Sequence, residues 1–364
     1  MKRSSPLIRT RLNAYILILT PHPSDFRADE FWQLLKDLPG FSGKLNLPDS
    51  EGATWSQVSV SVFDGEDAKF VANADDRVFH ELWLTVERSR AWYVLKITAR
   101  ASYTKKQAMA STKGWKAKKA ERLGGYRLFL RASFEELLND VVLVVNLARP
   151  GLFDVGEGYI LQDGKVRKNT DVIISDLRMA LANASKINWP QCHSLDLMTV
   201  WNWAMKTGLL GGIGKTALGR AFNAFSYLFI DPLDDQSVLL FWSLIGIEAL
   251  YVSPSAKIME QVRERSQLLL GPLTAYKKKL SRMYDLRSKF IHGALPFPGK
   301  FFTKDAMPEY EQFADEVSEA SLLAQAILTA TLQEMVIRDL SELSFSTVLN
   351  ERMSCAIQSP IHDT

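Results

Sequence analysis

The chain has little cysteine, little histidine, no excess charge of one sign and no long apolar run, and each shortage removes a class of function. Its 364 residues include two cysteines, Cys192 and Cys355, far apart and without a C-x-x-C spacing. With only five histidines (His22, His80, His193, His292 and His362) they offer no zinc-ligand cluster. A chain of this length buries enough apolar surface to need no disulfide or metal staple, which fits a reducing cytoplasm. Forty-four basic residues against 41 acidic ones leave a net charge of +3, too near neutral to announce a nucleic-acid protein, so any such binding must be local. The apolar run from Gln236 to Ile247 ends at Glu248, short of the roughly 20 residues a membrane-spanning helix needs. Lys2, Arg3, Arg9 and Arg11 precede the apolar stretch Ala14 to Leu19, but no A-x-A site follows. A first strand is expected there, not a secretory signal, and no membrane contact is expected. No repeat or low-complexity tract appears.

What is present is the balance of a globular protein, 47% hydrophobic and 23% charged. At roughly 100 to 200 residues per domain, two domains are the first expectation. Up to about residue 174 the apolar runs are short and rich in β-formers: Asn13 to Thr20, Trp55 to Phe63, Trp92 to Thr98, Tyr126 to Leu130 and Val141 to Leu147. Val58, Val60 and Val62 alternate as in a half-buried strand, whereas Phe26, Phe31, Leu34 and Leu35 keep helical spacing. Turn signals at Phe63-Asp64-Gly65, Gly124-Gly125, Pro150-Gly151 and Asp163-Gly164 separate these runs. A mixed sheet in an α+β domain over residues 1–180 is expected. After Asp176 the periods lengthen: Ser194 to Lys206, Lys215 to Ile230, Asp235 to Val252, Ala256 to Leu270, Thr274 to His292 and Pro308 to Leu343. Pro232, Pro254, Pro272, Pro296 and Pro298 fall between them, where a missing N–H does least damage. The expectation is an all-α helical bundle over 181–343, with a C-terminal tail over 344–364.

Three segments suggest chemistry. Gly208-Leu-Leu-Gly-Gly-Ile-Gly214-Lys215-Thr216 ends like a phosphate-cradling P-loop, but Leu209 stands where the first glycine belongs and a helical pattern precedes it, so a flexible turn opening the next helix is expected. Between Lys105 and Arg122, Lys105, Lys106, Lys113, Lys116, Lys118, Lys119 and Arg122 face only Glu121, with Trp115 among them. Lys113, Lys116, Lys118 and Lys119 could track a phosphate backbone while the Trp115 indole stacks on a base. The bland alternative is a solvated, solubilising segment.

The third segment is Met283-Tyr284-Asp285-Leu286-Arg287-Ser288-Lys289-Phe290-Ile291-His292-Gly293. Five positions on an ideal helix separate Arg287 from His292 by about 140°, so the two do not normally share a face. If Gly293 takes the left-handed C′ conformation, His292 falls in the last turn and can swing toward the Arg side. A permanent planar cation then stands near a side chain of the one type that titrates near neutrality. RNA carries its own nucleophile, the 2′-OH, so its cleavage needs a base, an acid and positive charge on the phosphorane, with no obligatory metal and no cofactor. One His serves one proton role at a time, and a two-fold dimer through the helical half would supply the second. The bland alternative is that Arg287 bridges a carboxylate such as Glu248 or Asp285 and His292 merely ends a helix.

The run from Tyr284 to Gly293 resembles the Apea-like branch of the HEPN superfamily, whose hallmark is R-x(4–6)-H late in an all-α bundle. Arg220-Ala-Phe-Asn-Ala-Phe and Leu244-Ile-Gly-Ile-Glu248-Ala-Leu-Tyr251 resemble that branch's earlier helices, so the resemblance covers roughly residues 195–343. It implies a HEPN-like bundle and a dimeric, metal-independent endoribonuclease, such as a toxin or antiphage effector of abortive infection with an antitoxin or defence-system partner protein. It implies Arg287 and His292 as catalytic, with Glu248, Asp285, Tyr284 and Ser288 in support and Lys289 among the RNA contacts. Ser288 departs from the Asn, Asp or His that often follows the Arg. The alternative within the same resemblance is a non-catalytic nucleotide-, RNA- or protein-binding module. Residues 1–180 resemble no known family.

Overall fold

The computed structural model describes residues 6–19, 27–45, 47, 53–64, 92–152, 154–163, 165–169, 177–229, 236–253, 257–272, 277–295 and 308–345. The expected turn at Gly65, the glycine of Asp163-Gly164, most of the 344–364 tail, and Pro232, Pro254, Pro296 and Pro298 lie outside them.

Strand β1 (Leu7–Leu19) runs antiparallel between β4 (Trp92–Thr104) and β5 (Asp154–Gln162). On the far side of β4 pair β2 (Thr54–Trp55) and β3 (Ser59–Asp64), and β6 (Lys165–Asn169) closes the other edge against β5. Every pairing among the described residues is antiparallel, which corrects the mixed sheet expected from sequence. Alternation along β1 and β4 sends Leu12, Ala14, Ile16 and Ile18, with Leu95, Ile97 and Ala99, to the core face. On the opposite face Tyr15 stands across from Lys96, whose ammonium lies 5.3 Å from the ring centroid. Helix α1 (Ala28–Asp37) places Phe31, Leu34 and Leu35 in the core, as their spacing requires.

Beyond β4 the chain departs from the sequence expectation. Thr104 caps α2 (Lys105–Ser111), its hydroxyl accepting from Gln107 N while the Gln107 side chain accepts from Thr104 N. There follows one 30-residue helix, α3 (Lys119–Ala148). It contains both Tyr126 to Leu130 and Val141 to Leu147, so these runs are helix and not strand, and Gly124-Gly125 is not a turn. The physical reason is burial: Val141, Val142, Val144, Val145, Leu147 and Ala148 all lie in the core, so the helix has no polar stripe there and no period to read.

The helical half comprises α4 (Leu177–Ile187), α5 (Leu197–Lys206), α6 (Ala217–Ser226), α7 (Gln236–Tyr251), α8 (Ile258–Leu270), α9 (Lys277–Ile291) and α10 (Pro308–Ile337). From α5 onward it follows its periodicity, whereas α4 was not expected from sequence. Asp196 and Thr216 cap α5 and α6, accepting from Thr199 N and Gly219 N. Gly246 lets α7 press against α10 and α6, since a Cβ there would lie 2.8 Å from Leu328 and 3.2 Å from Ala224. Phe313–Ile337 of α10 is long and apolar enough to cross a membrane, but 83% of its apolar window is buried inside the fold, as in a core helix.

A single apolar cluster joins the sheet's core face, α3 and the bundle, running from Leu12 to Val336. Gln333 of α10, fully buried, fastens the joint. Its amide donates to the carbonyls of Leu147 (2.8 Å) and His193 (2.7 Å) and accepts from His193 N (2.8 Å). Gln333→Leu leaves those backbone groups unpaired, each costing about 1–3 kcal/mol. We expect a loss of about 3 kcal/mol or more in urea unfolding, and a loss below about 1 kcal/mol would show that the joint does not depend on this amide.

Candidate functional site

Helix α9 ends as its sequence predicts. Gly293 has φ 73°, Ala294 N bonds Lys289 O (2.8 Å) and Gly293 N bonds Phe290 O (3.3 Å), the two closures of a Schellman motif. His292 is thereby the last residue before the turn, with its N–H on Ser288 O (3.0 Å) and its side chain exposed. Among the described residues no hydrogen bond or ion pair engages that side chain. Ser288, one turn earlier, is exposed as well.

Arg287 faces the other way. Its Nη2 donates to Glu248 Oε2 at 3.0 Å, and its Nε lies 2.8 Å from Glu248 Oε1. The Nε contact is electrostatic and not a well-aligned hydrogen bond, so Oε1 is left buried without a donor. Glu248 reaches this point from α7, packed beside α9 through Phe241 and Phe290, whose ring centroids are 5.9 Å apart. Burial pushes the Glu248 carboxyl above its ordinary range, and the Arg287 charge opposes that rise without cancelling it. Tyr284, one turn before Arg287, has a buried hydroxyl with no partner among the described residues, pushed upward by burial and by the Glu248 charge. Arg287, Glu248 and Tyr284 therefore form one half-buried group.

Asp285 belongs elsewhere. It pairs with Arg282 (2.9 Å) and Lys289 (3.0 Å) on the exposed face, and the Lys289 hydrogen bond holds its carboxyl below the usual range. Arg282 also meets Glu316 of α10. The structure thus brings Glu248 and Tyr284 to Arg287 and does not bring Asp285, Lys289 or His292 there. Among the described residues no direct bond runs from Arg287 to His292.

In the basic segment, Lys113, Lys116, Lys118 and Lys119 are exposed, and none makes an ion pair among the described residues. Arg122 is structural: it donates to Thr112 Oγ1 (3.1 Å) and to the Met109 carbonyl, bracing α2 against α3. Trp115 is half exposed, and its ring lies across Gly125, where a Cβ would come within 2.1 Å of it. That close approach explains glycine inside a helix. One face of the indole is therefore spent on α3.

The glycine-rich stretch is a turn between α5 and α6, with Gly208 and Gly211 at positive φ. Gly214 packs on Gly219, where a Cβ would meet the carbonyl at 2.6 Å. Nothing here cradles a phosphate, but Asp140 of α3 accepts from Gly211 N at 3.3 Å. Burial, with Glu136 nearby, pushes the Asp140 carboxyl up to about 7. Sequence reasoning missed it, because a carboxylate beside Asn139 in a run of apolar residues carries no local sign of burial. It also missed a cleft beside residues 188–194. Among the described residues no three His, Cys, Asp or Glu side chains converge as a metal site. Comparison of the chain with protein families, with curated proteins and with solved structures gave no match.

Asp140 gives a pH dependence of known sign. Its folded value lies above its unfolded one, so its contribution to stability is present below about pH 4 and lost as pH rises toward 7. Asp140→Asn abolishes that loss. The variant should match the wild type near pH 4 and exceed it at pH 8 by at most about 4 kcal/mol, at about 1.36 kcal/mol per unit. An equal difference at pH 5 and pH 8 in urea unfolding would mean that Asp140 does not titrate in this range.

Proposed function

We propose that the chain is a metal-independent endoribonuclease that works as a two-fold dimer, with Arg287 and His292 supplied to one cleft by the two copies. The observation that carries this reading is an apolar stripe left open beside the motif. Along α7, Phe241, Trp242, Ile245 and Ala249 fall on one side of the helix, and Ile245 is 44% exposed. Tyr227 extends it by stacking on Trp242, ring centroids 3.7 Å apart, and Ile291 of α9, 51% exposed, adjoins His292. Exposed apolar side chains on the helices that carry the motif mark an interaction site, and a second copy seated on them repeats the motif across the axis.

On this reading the 2′-oxygen attacks phosphorus and the P–O5′ bond breaks, leaving a 2′,3′-cyclic phosphate and a 5′-hydroxyl. One His292 takes the 2′ proton and the other returns a proton to the 5′ oxygen. Arg287 grips the phosphorane oxygens, and Glu248 holds the guanidinium until RNA arrives. Ser288 and Tyr284 flank the pair. Lys289 and the Lys113–Lys119 segment contribute phosphate contacts, and a toxin or antiphage effector with an inhibitory partner protein is the fitting role. A second reading, a non-catalytic RNA- or protein-binding module, is favoured by one specific observation: Arg287 is already paired with Glu248.

The deciding experiment is cleavage of single-stranded RNA in EDTA. His292→Ala and Arg287→Lys should each lose about 10²- to 10⁴-fold, or about 2.7–5.4 kcal/mol of transition-state stabilisation. His292→Ala should melt as the wild type does, and Ile245→Asp should yield an inactive monomer by light scattering. A magnesium requirement, cleavage of DNA, or wild-type rates in His292→Ala would favour the binding module. Replacing Lys113, Lys116, Lys118 and Lys119 by Gln should flatten the salt dependence of RNA affinity, by roughly 0.7 in the log–log slope for each phosphate no longer neutralised. An unchanged slope assigns the segment to solvation.

A further inference from the structure

Arg9 and Arg11 play no part in the motif on α9, and the sheet places them on a surface of their own. Strands β1, β4 and β6 carry two, two and three basic residues and no acidic one, in a chain whose charges otherwise nearly cancel. Leu12, Ala14 and Ala99 point to the core, so alternation sends Arg9, Arg11 and Arg100 to the opposite face. The register sets Arg11 directly across from Arg100, and Arg9 across from Ser102. All three arginines are exposed. Farther along β1 the same face is closed, with Tyr15 and its neighbour on β5, Tyr159, both buried.

Like charges directly opposite each other on neighbouring strands repel and cost stability. A carboxylate between them would remove that cost, yet among the described residues none pairs with Arg9, Arg11 or Arg100. Neutral polar groups surround them instead. Asn13, buried, accepts from Arg11 Nε at 3.2 Å and from Thr98 Oγ1 at 2.9 Å. The Arg11 guanidinium is thus steadied by its Nε, and its two Nη groups have no acceptor among the described residues. Ser56 stands exposed beside Arg100, its hydroxyl accepting from the Arg100 backbone N–H at 3.1 Å. Arginine together with serine, threonine and asparagine is the set of side chains through which proteins hold phosphate and sugar.

The shape of the surface narrows the occupant. Exposed side chains on a strand surface make an open platform, unlike the concave sites that enclose small molecules. Arg9 and Arg11 are about 7 Å apart along β1, and Arg11 and Arg100 about 5 Å apart across the strands. A flexible chain with an anion at every repeat can meet all three in turn, whereas a rigid duplex curves away from a plane. Lys105 and Lys106, exposed directly after β4, prolong the positive charge. Among the described strand residues Leu7 is the one exposed large apolar side chain, too little to insert into a lipid surface.

We propose that this open half of the sheet holds the phosphodiester backbone of a single-stranded nucleic acid, with Arg9, Arg11 and Arg100 on phosphate oxygens and no base read. It uses no residue of α9, so it stands whether or not the chain cuts RNA. The test is fluorescence anisotropy with a labelled oligouridylate about 12 nucleotides long, on the full chain carrying His292→Ala so that the probe stays intact. Binding should appear with a Kd below about 100 μM near physiological salt. Replacing the three arginines by Gln should weaken it at least about tenfold and flatten the log–log salt slope by roughly 2, at roughly 0.7 for each phosphate no longer neutralised. Arg100→Thr alone should weaken binding without lowering the melting temperature, because it removes the like-charge pair. If the triple variant folds poorly, Arg9→Glu decides, since it reverses one exposed charge that holds nothing in the fold and should weaken the oligonucleotide at least threefold. Vesicles of phosphatidylserine and phosphatidylcholine should not compete with the oligonucleotide. No binding by the parent chain, unchanged affinity and slope in the arginine variants, a lowered melting temperature in Arg100→Thr, or displacement of the oligonucleotide by the vesicles would overturn the proposal.

Discussion

The last stretch of α3, Val144 to Ala148, has no side that faces water, and the rest of the fold is arranged around that fact. Its valines and leucine meet the sheet on one side and the bundle on the other, within a single apolar cluster that runs through both halves. Fully burying a side chain of this size contributes about 1.5–3 kcal/mol, so separating the halves would expose several such residues at once. Polar groups in this region must then be satisfied locally. Asn146 donates to Val142 O, the Ala148 carbonyl accepts from Leu195 N, and the Leu147 carbonyl accepts from Gln333. The cleft at the junction exists because α1, α4 and the 188–194 segment all lean on this helix end without filling the space between them.

Such burial also explains where the sequence could be read and where it could not. Helices α5 to α10 have prolines or glycines between them, and all but α7 and the second half of α10 keep a polar face, so their limits were legible within a few residues. In α3 the apolar pattern has neither a period of two nor one of 3.6. Short apolar runs preceded by Gly124-Gly125 read as strands and a turn, although Gly125 is there because Trp115 lies across it. Strands β5 and β6 escaped for the opposite reason. Gly156 and Gly158 interrupt the first, and the second, at the sheet edge, is Lys-Val-Arg-Lys-Asn, the charged kind of edge that resists pairing with another chain.

The candidate site was legible in its local geometry and not in its partners. Gly293 in the left-handed region, and His292 just before it, follow from the dipeptide alone. That Arg287 would choose Glu248 over Asp285 depends on how α7 crosses α9, and no spacing within one helix encodes a crossing. The choice has a physical basis. Asp285 is exposed among Arg282 and Lys289, where an ion pair contributes about 0–1 kcal/mol. Glu248 is largely buried, and a carboxylate there is tolerated only with a cation beside it.

That unequal environment decides how readily Arg287 can be taken over by another anion. Burial already disfavours the Glu248 charge, and one of its oxygens lacks a donor even with Arg287 in place, so the pair holds less tightly than its 2.8 Å separation suggests. A phosphate presents more oxygens to the fork than a carboxylate does. Glu248 can meet the exchange by taking up a proton, which its raised pKa makes less costly than for an exposed glutamate. The opening cost at Arg287 is thus set on α7, whereas His292 stands exposed at the end of α9 with nothing to displace. On the proposed ribonuclease reading, release of Arg287 would then be governed by residue 248 and proton transfer by residue 292, positions that five steps on an ideal helix set about 140° apart.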